Sequence, residues 1–160
     1  MKRYALMVIA VSTLALGGWV LFSLSSRSPI TSADNADPAA GEALYQANCA
    51  SCHGVNLQGQ PNWRSQGDDG LLPAPPHDKT GHTWHHGDGL LFSYTKLGGK
   101  EALAQQGVDF DSGMPGFGDQ LSDQQIWDIL TYIKSTWPDR ERELQATRSE
   151  AERLQKDANP

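Results

Sequence analysis

The chain has 160 residues, 38% of them hydrophobic and 20% charged, with a formal net charge of −6, a length that holds one ordinary domain and short extensions. All 19 acidic residues follow position 33 but only ten of the 13 basic ones do, so this part of the chain carries −9. No basic stripe with interleaved aromatics is present, which excludes a nucleic-acid-binding role; two cysteines are too few for a disulfide framework.

Lys2 and Arg3 precede an uncharged run from Tyr4 to Leu24. As a helix rising about 1.5 Å per residue, that run spans about 31 Å, close to a bilayer core of about 30 Å. A cleavable leader has a shorter apolar core, about 7–15 residues, although Thr31-Ser32-Ala33 offers a small-residue cleavage site. Residues 1–24 are therefore expected to be a signal anchor or transmembrane helix. The positive-inside rule leaves Lys2 and Arg3 in the cytoplasm and sends the rest of the chain out. Residues 25–37, rich in Ser, Asp and Ala, read as a short flexible linker.

The spacing predicts a helix over 38–48: Pro38 suits a first turn, and Gly41, Leu44, Tyr45 and Asn48 recur at helical intervals. Cys49-Ala50-Ser51-Cys52-His53 follows. It is the Cys-x-x-Cys-His pattern of covalent c-type haem attachment. The two cysteines sit about one helical turn apart, so both sulfurs reach one edge of a porphyrin, and His53 is placed to bind the iron from the proximal side. A redox dithiol or half a zinc site are the competing readings. The first needs a βαβ context and the second a further pair of ligands.

Four of the five histidines fall between His77 and His86, in Pro75-Pro76-His77-Asp78 and Gly81-His82-Thr83-Trp84-His85-His86. Imidazoles at this density, with Asp78 and Asp88 nearby, suit copper or zinc, so a second metal at His82, His85 and His86 stands beside the plainer reading of a polar loop. From Asp88 the chain turns helical: Asp88 can cap, Leu90, Leu91, Phe92, Tyr94 and Leu97 follow, and Gly98-Gly99 stops the run. Residues 98–113 read as a Gly- and Asp-rich loop with one short turn at most.

Met1 and Met7 lie in the N-terminal run, so Met114 alone remains to complete a His/Met iron. Its setting, Gly113-Met114-Pro115-Gly116-Phe117, is a turn that would present a thioether rigidly. A Met packed on an apolar surface is the ordinary alternative. Residues 122–136 read as a helix, capped by Ser122 or Asp123 and ended by Pro138, with Ile126, Ile129, Leu130 and Ile133 in one stripe. Residues 139–160 are dense in balanced charge and favour helix; a solvated extension of the preceding helix is expected.

Taken together, residues 38–138 resemble a class I cytochrome c. The Cys-x-x-Cys-His motif lies near the start and the Met turn just before the last helix of the domain, and Gly41, Tyr45, Ile129 and Tyr132 match the positions where the family's first and last helices cross. The Pro-Pro-His-Asp and Gly-His-Thr-Trp-His-His stretch resembles a subgroup of bacterial monohaem cytochromes. The resemblance implies an all-α cytochrome c fold around one covalent haem c, held by Cys49, Cys52, His53 and Met114. It implies a backbone carbonyl from Pro73, Pro75 or Pro76 on the proximal His, and propionate contacts from among Trp63, Arg64, Trp84 and the local histidines. The function it implies is one-electron transfer rather than enzymatic catalysis, outside a bacterial cytoplasmic membrane, with redox partners such as a quinol-oxidising complex or terminal oxidase. Two alternatives stay open: a haem with a free position for a small ligand, as in a sensor or peroxidase, and electron transfer coupled to copper handling.

Overall fold

A computed structural model describes residues 33–158; the expected anchor at 1–24 and most of the expected linker lie outside the described residues. Every regular element among the described residues is helical, and none of these helices is long and apolar enough to cross a membrane. The chain enters through a 3-10 turn, Ala33–Asn35. Asp37 then accepts the Ala39 amide at 2.8 Å and caps α1, Pro38–Asn48, which carries Pro at its first position. The Asp37 amide donates to Asp128 Oδ1 at 3.0 Å, so the end of the expected flexible linker is tied into the domain.

A single helical turn, α2, Ala50–His53, follows and stops at Gly54, whose φ of +82° suits glycine. A long irregular stretch with one 3-10 turn, Thr83–His85, leads to α3, Asp88–Leu97. Gly87, not Asp88, is the cap of α3; Asp88 is its first residue, and its carboxylate takes an ion pair from Lys134 at 2.9 Å. Gly98 ends α3 with φ +86°, and α4, Gly99–Ala104, begins at once, where a loop is expected from composition.

The core is made where α1 crosses α5, Asp123–Ser135. Ser122 and Gln125 form a reciprocal capping box at the start of α5. From there Ile126, Ile129, Leu130 and Ile133 face inward, all below 5% exposed; burying each contributes about 1.5–3 kcal/mol. Gly41 lets the backbones touch: a Cβ there would run into the Asp128 carbonyl. Tyr45, fully buried, packs its ring 5.5 Å from Tyr132 beside this contact. Trp137, 2% exposed, closes the same core.

The expected solvated extension of the last helix is corrected. Pro138 breaks the chain into a separate helix, α6, Asp139–Ala158, that folds back on the domain. Gln145, 3% exposed, donates to the His86 carbonyl (3.2 Å), Asp88 Oδ1 (2.8 Å) and Ser149 Oγ (3.0 Å). Ser149 and Glu152 in turn accept the Asp88 and Gly89 amides. A helix N-terminus has unpaired amides to satisfy, and here α6 supplies the acceptors.

Candidate haem-binding site

The Cys-x-x-Cys-His segment is a helical turn continuous with α1. The Cys49 amide donates to Tyr45 O at 2.8 Å, and the Cys52 and His53 amides donate to Cys49 O at 3.1 and 2.9 Å. Cys49 is buried and Cys52 exposed. The described residues include no strand, so a thioredoxin-like context is absent among them. They include no convergence of three or more His, Cys, Asp or Glu side chains either, which disfavours a zinc site on this pair.

His53 is held by chain segments far apart in sequence. The Gly59 amide returns to His53 O at 2.7 Å, and Gln60 N–H donates to Ala74 O at 2.8 Å. Leu57, in the left-handed region at φ +61°, uses its carbonyl to accept the His77 and Asp78 amides. This pairing of residues 57–60 with 74–78 carries the Pro75 carbonyl to 2.8 Å from His53 Nδ1. Of the three candidate prolines, Pro75 supplies the contact. Burial lowers the His53 pKa, and the Pro75 bond opposes that shift. A neutral ring donating from Nδ1 keeps the Nε2 lone pair free for a metal.

Met114 sits in a turn strapped to the end of α3. Its amide donates to Ser112 Oγ at 3.2 Å, that hydroxyl lies 3.0 Å from Tyr94 Oη, and the Met114 carbonyl accepts the Gly99 amide at 3.1 Å. Beyond it, the Phe117 and Gly118 amides bond to Thr95 O and Lys96 O. Gly113 backs onto Leu71: a Cβ there would lie 3.3 Å from Leu71 Cδ1. The Met turn and the segment leading to Pro75 therefore adjoin.

The His-rich stretch is an aromatic cluster. His82 stacks on Trp63 at 5.3 Å between centroids, Arg64 lies 4.0 Å from the Trp63 ring centroid, and His85 stacks on Trp84 at 3.7 Å. The His82 and His86 rings approach edge to face at 5.4 Å, with no third ligand gathered to them among the described residues. A second metal at His82, His85 and His86, expected from sequence, is thus not shown among the described residues. His77, whose Nδ1 is buried without a partner, stacks on His53 itself. Sequence reasoning missed that contact, and also Trp137, whose Nε1 donates to His77 O at 2.7 Å.

Two cysteines one helical turn apart and a following imidazole with Nε2 free form the set that attaches and binds haem c. The residues present fit that group. Comparison with known proteins agrees. The family model described as cytochrome c matches residues 38–137. A cytochrome c6 of Gracilaria tenuistipitata var. liui is 31% identical over 98 residues, 61% of this chain and 71% of that protein. A cytochrome c6 of Nostoc sp. is 28% identical over 123 residues, 77% of this chain and 89% of that protein. A 24-residue stretch is 67% identical to cytochrome c-554(547) of Halothiobacillus neapolitanus, covering 15% of this chain and 26% of that protein. No solved structure gives a significant match. With its motif, its helical frame and the family model all covering the same hundred residues, the chain belongs to the cytochrome c family and carries one covalently attached haem c.

Proposed function

We propose that this protein is a class I, monohaem one-electron carrier whose iron is held by His53 and Met114. The observation that carries the reading is the 2.8 Å bond from His53 Nδ1 to Pro75 O, which fixes the ring and leaves Nε2 free as a ligand. Haem c supplies a reversible one-electron couple when bound. The chain's own part is to hold His53 by Pro75, present the Met114 thioether from a turn tied to α3, and tether the group through Cys49 and Cys52. With His53 and Met114 both bound, the iron would keep no position for a substrate.

The N-terminal run 4–24, behind Lys2 and Arg3, supports a membrane-anchored protein with its haem domain on the outer side of a bacterial cytoplasmic membrane. Its place is a respiratory-type chain, with redox partners such as a quinol-oxidising complex or a terminal oxidase. The acidic surface suits a partner with a basic docking face, and the tether keeps encounters near the membrane.

The test is the visible and near-infrared spectrum of the ferric full-length protein, made with a haem-attachment system. A low-spin spectrum with the sulfur-to-iron band of a Met-ligated haem, lost in Met114→Ala, supports the reading. A high-spin wild-type spectrum that responds to cyanide or nitric oxide replaces it with a ligand-binding or peroxidase-like role.

A further inference from the structure

The His53 ring is confined from two directions by one short piece of chain. Pro75 accepts its Nδ1–H in the plane of the ring at 2.8 Å. Two residues on, His77 lies across its face, with centroids 3.9 Å apart and planes 20° from parallel. A hydrogen bond alone leaves a ring free to tilt about the N···O line; a face-to-face neighbour opposes that tilt. The two contacts therefore restrain different rotations.

His77 is itself fixed. Its amide donates to Leu57 O at 2.8 Å and its carbonyl accepts Trp137 Nε1 at 2.7 Å. The Tyr45 ring meets it edge-on at 5.9 Å. Yet its Nδ1 is buried and has no hydrogen-bond partner among the described residues. Such an atom costs stability, and an aliphatic side chain would fill the space without that cost. The imidazole at this position therefore is not explained by packing alone; what distinguishes it from Leu is a flat π face set against His53.

We propose that His77 is a positioning residue for the proximal ligand: its stacked ring sets the plane of His53 and, through it, the electronic asymmetry and reduction potential of the haem. The inference rests on His53 being the iron ligand. A π face beside the ligand also favours the more positive, oxidised state of the centre. Removing it raises the potential.

The experiment uses the full-length holoprotein and three variants, His77→Phe, His77→Leu and His77→Met. Two quantities are read in each: the paramagnetically shifted haem methyl resonances of the ferric state, which report the axial ring plane, and the reduction potential. Phe keeps a flat ring and is expected to preserve the order and spread of the methyl shifts. Leu and Met fill space without stacking. They are expected to reorder or compress the pattern and to shift the reduction equilibrium at least about threefold, about 30 mV at 59 mV per tenfold for one electron. Should Leu not fold, as judged by helical circular dichroism, Met, with its unbranched chain, carries the test. A stacking-deficient variant with unchanged methyl pattern and potential overturns the inference and leaves His53 ligation standing. A wild-type low-spin spectrum that survives in His53→Ala overturns both readings.

Discussion

Gly41 and Asp128 meet backbone to backbone: there is no room for a side chain on the glycine beneath the Asp128 carbonyl. In an ordinary helix interior, Gly→Ala would add about 1 kcal/mol of stability. Here the added methyl meets a main-chain carbonyl inside α5, which no rotamer change moves aside. Overpacking wins, and Gly41→Ala is expected to destabilise the holoprotein by about 1–3 kcal/mol. Gly41→Val should cost more. Denaturant unfolding followed at the haem Soret band measures both; an Ala variant as stable as wild type would mean that the helices separate without cost.

Gln145 joins α6 to the His86 carbonyl and to Asp88, which Lys134 also holds. Gln145→Ala leaves these acceptors short of a donor in a buried place, for an expected loss of about 1–3 kcal/mol. Truncation after Pro138 should also speed hydrogen exchange at the Asp88 and Gly89 amides, which now donate to Ser149 and Glu152. Unchanged exchange there would show that α6 is not what protects the start of α3.

Trp137→Phe keeps most of the buried ring and removes one hydrogen bond, Nε1 to His77 O at 2.7 Å. Its expected cost is about 1–3 kcal/mol, since the carbonyl is left short of its donor. The comparison with Trp137→Leu, measured by thermal melting, separates the bond from the volume: Phe should lie between wild type and Leu.

Burial lowers the pKa of both His82 and His86, with further lowering at His86 from His82, His85 and Arg148. A histidine depressed in the folded state binds its proton more readily once unfolded. Its contribution to stability is therefore complete above the unfolded value of about 6.5 and is lost as pH falls below it. The melting temperature of the holoprotein should decline as the pH falls below about 6.5. His86→Gln should flatten that decline; an identical slope in the variant would remove His86 as a source.

Much of this was legible because it is local. The Cys-x-x-Cys-His run needs only adjacency, and the helices Pro38–Asn48 and Asp123–Ser135 follow from caps and a 3.6-residue apolar stripe. What escaped depends on contacts between distant segments. Nothing within Pro73-Ala74-Pro75-Pro76 distinguishes one carbonyl; the pairing with residues 57–60 does. The docking of α6 escaped for another reason: it is carried by Gln145, Ser149 and Glu152, polar residues that leave no hydrophobic period to read. His77 was seen as one member of a histidine cluster, whereas the fold also sets its ring on His53.

Cys49 is 7% exposed, walled in by the crossing of α1 and α5. That crossing joins parts of the chain as far apart as Asp37 and Asp128, 91 residues along the sequence. A chain delivered from its N-terminus presents Cys49 and His53 long before α5 arrives to cover them, whereas Cys52 stays exposed. An order of maturation is thereby written into the topology: Cys49 is most easily met while the chain is still open, before the last core helix closes over it.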